Sequence, residues 1–302
     1  MYCAFIDYEK AFDTVINDAL WIKLVKTGIS CKMLKMIQAI YQNVRSCIKD
    51  FKTMSYSELF DVTLGVKQGE PLSPLLFILF INDVKDCIDN NNLTENDMRL
   101  LSIYMLLFAD DIALFTTNPE SLQLQLNAIY DYSCKWGLKI NVKKTKICIF
   151  EKKKSNCLYK WNINNENVEK VDEFCYLGMK FYYTGNLTNA VKALNDQALR
   201  AYNQLLRVFS RISCDVKTKL ALFDSLVVPL IMYGSEVWGI YNTPEVDEIH
   251  LRFCKLILGV KQQKSNASVF GELGRFLLAV ICKQRSMYYW IKVMNKPDSL
   301  MY

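Results

Sequence analysis

The chain has 302 residues, 51% hydrophobic and 23% charged, with a formal net charge of +6. That length suits one large domain or two modest ones, and the charge density is too ordinary for wholesale disorder. The longest apolar run, residues 74–81 (PLLFILFI), is far too short to cross a bilayer, and the opening MYCAFIDYEK meets acids too early for a signal peptide. An intracellular protein without a membrane span is expected.

Residues 2–7 (YCAFID) predict a short buried strand that ends on a carboxylate. Helical spacing follows over 13–27 and 30–47, the second through Leu34, Ile37, Tyr41 and Val44. Two short β-like runs near 47–53 and 57–64 lead into a loop at 65–70. Ser73 is the expected cap of the next helix, with Pro74 at its first position and an end near Cys87. The polar run 89–97 (DNNNLTEND) reads as an exposed loop. Residues 103–109 and 112–117 are apolar β runs broken only by Asp110 and Asp111, which predicts a tight hairpin. A helix over 120–136 precedes a strand near 146–150, and 174–183 is a further strand or hairpin. A long helix over 187–212 carries the stripe Leu187, Val191, Leu194, Ala198, Ala201, Leu205, Val208 and Ile212. Lys192, Arg200, Arg207 and Arg211 stand mostly off that stripe. Beyond it the chain is expected to be mainly helical.

The charge is unevenly placed. Residues 1–182 carry 22 Lys+Arg against 22 Asp+Glu, whereas 183–302 carry 15 against 9. A basic second part beside a carboxylate-bearing first part suggests a polyanionic partner. Eleven cysteines form no C-x-x-C pair, and the one histidine, His250, has only Cys254 at helical spacing. Such a pair cannot supply the three or four ligands of a zinc site, so free thiols are expected. The lone histidine also argues against a His-centred nucleophilic triad.

Asp7 and the pair Asp110–Asp111 stand at ends of apolar strand-like runs, where a carboxylate is costly unless something positive meets it. Clustered carboxylates facing one cleft suit hard divalent cations, and two such ions serve phosphoryl or nucleotidyl transfer. With 18 aspartates in the chain, about one Asp–Asp pair arises by chance, so the pair alone is no motif. Its place inside an apolar hairpin carries the weight.

The segments FIDYEKAFDTV (5–15), GVKQGEPLSPLLF (65–77), FADDIALF (108–115), GLKINVKKTK (137–146) and YLGM (176–179) resemble, in order and spacing, the palm motifs of reverse transcriptases. The wording is similar to the non-LTR (LINE-type) retrotransposon branch. SLVVPLIMYGSEVWG (225–239) and LRFCKLILGVKQQKSNASVFGELGR (251–275) resemble the region after the polymerase core in animal elements of that branch.

The resemblance implies an α+β fold: a right-hand polymerase palm with a small antiparallel sheet and packed helices over 1–182, a helical thumb over 183–245, and a helical C-terminal extension over 246–302. Fingers and endonuclease are expected to be missing. It implies RNA-directed DNA polymerase activity with two Mg²⁺ ions, or Mn²⁺ in their place. Asp7 and Asp110 would hold both ions, with Asp111 a less direct third carboxylate and the Tyr8 carbonyl a further ligand. Phe12 would crowd the 2′ position of the incoming sugar, and Gln68 and Gly69 would touch nucleotide and template. Lys144, with Lys143 as the alternative, matches the lysine proposed to protonate leaving pyrophosphate. Tyr176, Leu177, Gly178 and Met179 would grip the primer end, and Lys192, Arg200 and Arg207 would contact duplex phosphates. The implied partners are an RNA template, a DNA primer or RNA–DNA duplex, and deoxynucleoside triphosphates, with a nuclear site of action. Two rival readings are a non-catalytic nucleic-acid-binding remnant and an RNA-templated RNA polymerase, the latter disfavoured by Phe12.

Overall fold

The structure is a computed structural model that describes residues 1–67, 69–89, 104–154, 157–241 and 245–295. Gln68, Ile103 and the polar run beyond Asp89 lie outside the described residues. The chain forms two compact units, Met1–Phe150 with Lys154–Val171, and Glu151–Lys153 with Asp172–Tyr302.

The first unit is built around β1 (Tyr2–Ile6), whose apolar run leaves Cys3, Ala4, Phe5 and Ile6 buried. A strand covered on both faces has no reason to alternate polar and apolar residues. After it come α1 (Asn17–Lys26) and α2 (Cys31–Tyr41). The sequence places the start of α1 too early. The carbonyls of Phe12 and Val15 accept from the backbone N–H groups of Val66 and Gly65, at 2.8 Å each, so this stretch pairs with a distant loop before the helix begins. Ser30 caps α2 by accepting from the Met33 N–H, but the helix stops at Tyr41, short of the expected 47. Beyond it, β2 (Arg45–Ser46) pairs with β3 (Phe60–Asp61), and a bridge between Lys49 and Tyr56 continues this ribbon. The two β-like runs are therefore the arms of one short hairpin.

Next, α3 (Leu72–Ile81) begins one residue after Pro71, so Ser73 lies inside the helix and caps nothing. Its hydroxyl donates to the Lys67 carbonyl at 2.5 Å and ties the preceding loop to the helix. The expected single helix to Cys87 is broken at Asn82–Asp83 before α4 (Val84–Asp89). At the break the Phe80 carbonyl, which a continuous helix would offer to Val84, accepts from the Lys23 ammonium and the Tyr132 hydroxyl. The hairpin β4 (Met105–Phe108) and β5 (Asp111–Thr116) turns on Ala109 and Asp110, so Asp111 belongs to the strand rather than the turn. Then come α5 (Pro119–Trp136), capped by Asn118 and ended by Gly137, and β6 (Lys146–Ile149). The unit closes with β7 (Asn162–Ile163), β8 (Glu166–Asn167) and β9 (Glu169–Val171).

The sheet order is β4-β5-β1-β6-β9, antiparallel except for the β6–β9 pair. Both neighbours of β1 run antiparallel to it, with Ile6 opposite Ile112 and Cys3 opposite Cys148. Helix α5 packs against β1 and β5, and the core gathers Leu20, Leu24, Phe77, Phe80, Leu114, Leu126 and Trp161. Burial of such side chains is worth roughly 1.5–3 kcal/mol each, enough to fix the sheet's central strand.

The second unit opens with a hairpin, β10 (Glu173–Tyr176) and β11 (Met179–Tyr182), turning on Leu177 and Gly178. It continues as α6 (Thr188–Arg211), α7 (Val216–Leu226), α8 (Val228–Ile231), α9 (Ser235–Trp238), α10 (Val246–Ile257), α11 (Asn266–Glu272) and α12 (Leu278–Met294). Of the stripe of α6, Val191, Leu194, Ala198 and Leu205 are buried and Leu187 and Ala201 half-buried, while Val208 and Ile212 at its far end are exposed. Phe223 stacks on Phe253 with centroids 4.0 Å apart, and Tyr202 meets both rings edge-on. His250 is buried beside Phe223 and Phe270, and burial holds its pKa down to about 4. It is a neutral core aromatic. Among the described residues no helix is long and apolar enough to cross a membrane.

Candidate active site

Three aspartates stand near one end of the central strands. Asp7 follows β1 directly, Asp111 opens β5, and the register that sets Ile6 against Ile112 brings Asp7 beside Asp111 at its next step. Asp110 precedes it in the turn, next to Ala109 at φ +52. A residue with a Cβ in that region is uncommon, and such backbone conformations gather at functional sites. Burial and then the nearby charges of Asp110 and Asp7 raise the carboxyl pKa of Asp111. Negative charge is thus concentrated here without full compensation.

The segment after α5 flanks Asp7. Asn141 N–H donates to the Asp7 carbonyl at 2.8 Å, and the Asp7 N–H donates to Thr145 Oγ1 at 3.3 Å. One carboxylate oxygen of Asp7, Oδ2, is buried with no hydrogen-bond partner. Lys144 Nζ lies 3.7 Å from that oxygen, beyond hydrogen-bond range but close enough for an ion pair. The lysine side chain is itself 70% exposed, so the attraction is heavily screened and the ammonium can leave. Lys143 instead offers its carbonyl to Lys146 Nζ at 2.6 Å, and its side chain is exposed. Tyr8 is buried, its hydroxyl paired with Ser133 at 3.2 Å. Its backbone forms a bridge with Ile140 whose hydrogen bonds run from Asn141 N–H to Asp7 O and from Glu9 N–H to Lys139 O. That bridge therefore leaves the Tyr8 carbonyl unused.

Among the described residues no group of three His, Cys, Asp or Glu side chains stands ready to enclose a metal ion. The donor set is nonetheless one for hard cations, with carboxylate oxygens, one of them buried and unsatisfied, beside an unused carbonyl. Mg²⁺ habitually takes one or two carboxylates and completes its shell with water and phosphate.

Phe12 is half-buried and stacks at 4.8 Å, tilted 30°, on Phe77 of α3. Gly65 is pressed against the backbone just after it: a Cβ there would lie 2.9 Å from Asp13 Cα and carbonyl O, at φ +87. Gly65→Ala should therefore destabilise the chain by about 2–3 kcal/mol through strain and a backbone clash. Thermal unfolding of the variant checks it, and an unchanged midpoint would show that the loop moves freely. Gly69, at φ +84, faces open space, so its glycine answers to backbone conformation and not to crowding by protein atoms.

In the second unit, Tyr176 is half-buried, and the turn Leu177–Gly178 is held by the Tyr233 hydroxyl, which donates to the Leu177 carbonyl at 2.5 Å. Lys192, Arg200 and Arg207 are all exposed on α6, and their spacings of eight and seven put them along one side of it. Sequence reasoning missed a buried cluster in the first unit. Lys23 Nζ donates to Asp83 Oδ1 at 2.6 Å, to the Phe80 carbonyl at 2.6 Å, and to the Tyr132 hydroxyl. The available signal was a lysine at a stripe position, between Leu20 and Leu24.

The family model for reverse transcriptase (RNA-dependent DNA polymerase) matches residues 1–181, and the chain belongs to that family. Its relatives include proteins named as polymerases of mobile elements. It is 29% identical over 255 residues to "Probable RNA-directed DNA polymerase from transposon BS" of Drosophila melanogaster, covering 79% of this chain and 27% of the relative. It is 24% identical over 263 residues to the RNA-directed DNA polymerase from mobile element jockey of Drosophila funebris, covering 84% of this chain and 27% of the relative. The chain thus spans about a quarter of the length of these relatives. Among solved structures, telomerase from Candida albicans in complex with a fragment of telomeric RNA aligns with a TM-score of 0.48 at 12% identity, covering 91% of this chain and 51% of that one.

Proposed function

We propose that the chain carries the palm and thumb of an RNA-directed DNA polymerase from a non-LTR retrotransposon, adding deoxynucleotides to a primer 3′-hydroxyl on an RNA template. The observation that carries this reading is the placement of Asp7, Asp110 and Asp111 at the joined ends of β1 and β5, within the stretch matched by the family. In this reading residues 1–182 are palm, 183–245 thumb and 246–302 a C-terminal extension, acting in the nucleus.

Asp7 and Asp110 would hold two Mg²⁺ ions, with Asp111 and the Tyr8 carbonyl as further oxygen donors. Mn²⁺ would serve in the same place. When bound, the ions lower the pKa of the primer hydroxyl and neutralise the triphosphate. Lys144, exposed and weakly paired with Asp7, is free to turn to the leaving pyrophosphate and give it a proton. Gln68 and Gly69 lie against the nucleotide and template. Tyr176, Leu177, Gly178 and Met179 support the primer end, and Lys192, Arg200 and Arg207 meet duplex phosphates without reading sequence.

Phe12, wedged on Phe77, places a ring where a ribose 2′-hydroxyl would have to go. Phe12→Val should raise the kcat/KM ratio for ribonucleotide over deoxynucleotide by about tenfold or more, the scale on which a sterically closed pocket discriminates. Single-nucleotide incorporation kinetics measure it, and an unchanged ratio would leave Phe12 as core alone.

The test of the whole reading is primer extension by this chain on an RNA template with Mg²⁺ and deoxynucleotides. Templated extension is expected. Its absence from a folded sample that still binds primer–template would favour the non-catalytic remnant.

A further inference from the structure

Helix α12 is anchored at one end and bare at the other. Asp247 accepts from the Leu278 N–H at 2.6 Å, and Leu278, Cys282 and Ser286 are buried at four-residue intervals, with the Ser286 hydroxyl donating to the Ser235 carbonyl at 2.6 Å. From Met287 to the helix end nothing is buried. Tyr288 is 73% and Trp290 63% exposed, and Met287, Ile291 and Met294 are exposed with them. All five tryptophans are described, and Trp290 alone is exposed; the other four are buried or half-buried. Large rings are not left in water by a fold that can bury them, so this end of the helix is a contact surface.

Its charge says of what kind. Residues 278–294 contain Lys283, Arg285 and Lys292 and no Asp or Glu. Helical spacing sets Tyr288 between Arg285, three residues before, and Lys292, four after. Trp290 stands two turns beyond Lys283 on another strip of the surface. Glu236 of α9 approaches Arg285 at 3.9 Å, a long and solvent-exposed pair, and rings beside the three cations of this helix suit a polyanion that also offers flat π-faces. A duplex keeps its base faces stacked inside, whereas a single strand exposes them.

We propose that the exposed end of α12 is a platform for single-stranded nucleic acid, on which Tyr288 and Trp290 stack bases while Lys283, Arg285 and Lys292 hold the backbone. It is carried by a different helix from the basic residues of α6, and it does not require the polymerase reading to hold. It binds without sequence preference, because every base has a π-face and the cations see only phosphate.

The test uses the full chain with a labelled oligo-uridine 20-mer and a blunt 20-base-pair duplex, read by anisotropy and by indole fluorescence. The single strand should quench tryptophan emission, and Trp290→Phe should remove most of that quenching while the ring goes on binding. Tyr288→Ala with Trp290→Ala should weaken the single strand about tenfold or more, the scale of lost base–aromatic stacking, and leave duplex affinity within about twofold. Unquenched emission on binding, or equal losses for strand and duplex, would overturn the proposal. So would a self-associating parent that Trp290→Ala turns into a monomer in sedimentation, since the surface would then be a protein interface. Quenching needs no catalysis, so failure here and failure of primer extension are separate results.

Discussion

Asp110→Asn is expected to reduce nucleotide addition by about 10³-fold or more, which at the transition state corresponds to about 4 kcal/mol. Asp110 lies in the turn of the β4–β5 hairpin, outside the ladder that pairs Phe108 with Asp111, so an amide of the same shape disturbs no strand pairing. What it removes is charge, at the place where burial, and then the charges of Asp110 and Asp7, push the Asp111 carboxyl upward. The loss should therefore appear in primer extension with the unfolding midpoint nearly unchanged, within about 0.5 kcal/mol as for a surface substitution. Extension that survives the substitution would move the metal-binding role away from this turn. Loss of folding along with activity would leave the role unassigned to charge, and Asp7→Asn would then be the comparison to make.

Lys23→Ala is expected to cost about 3 kcal/mol of stability, the low end for removing one partner of a buried pair, because Asp83 is only partly buried. Lys23 is 3% exposed and its ammonium also stands 4.0 Å from the Trp136 ring centroid and 4.4 Å from that of Tyr132. Without it the Phe80 carbonyl loses a donor at the break between α3 and α4. Burial lowers the lysine pKa to about 8, against the opposing pull of Asp83. The carboxyl of Asp83 is penalised by its own burial, yet the hydrogen bonds from Lys23 and Tyr132 outweigh that and hold it below its ordinary value.

The sign of the pH effect follows from the lysine. Between about 8 and the ordinary value near 10.5 the unfolded chain holds the proton and the folded chain has released it, so the folded state gains stability as pH rises through that window. Removing the lysine removes this gain. The destabilisation by Lys23→Ala should thus grow from pH 8 to pH 10, as read from denaturant midpoints of parent and variant at each pH. A difference that shrinks over that range would mean that the ammonium is kept charged by the pair and that burial is the lesser influence.

Local signals determined a good deal. The apolar runs 2–6 and 112–116 predict strands because both faces of each are covered, and the stripe of α6 predicts a long helix because its period matches 3.6 residues. The same runs end on Asp7 and Asp111, which is why the carboxylates could be named as candidates before any neighbour was known. Where local signals failed, a distant partner had taken over. The start of α1 is delayed because Phe12 and Val15 give their carbonyls to Val66 and Gly65, and α3 breaks where Lys23 reaches Phe80. Ser73 looks like a cap and is a tether to Lys67.

By itself, then, the sequence determined the longer helices and the central strands, which acids stand at the ends of those strands, and where the excess positive charge lies, since each depends on composition or on a period of a few residues; the short strands β2, β7, β8 and β9 left no such signal. Only the tertiary structure decided that Asp7 stands beside Asp111, that Lys144 approaches Asp7, and that Lys23 is locked to Asp83 and Tyr132, 60 and 109 residues away. Those meetings are made by strand register and helix packing, which act between segments far apart in the chain and leave no periodic trace in either one alone.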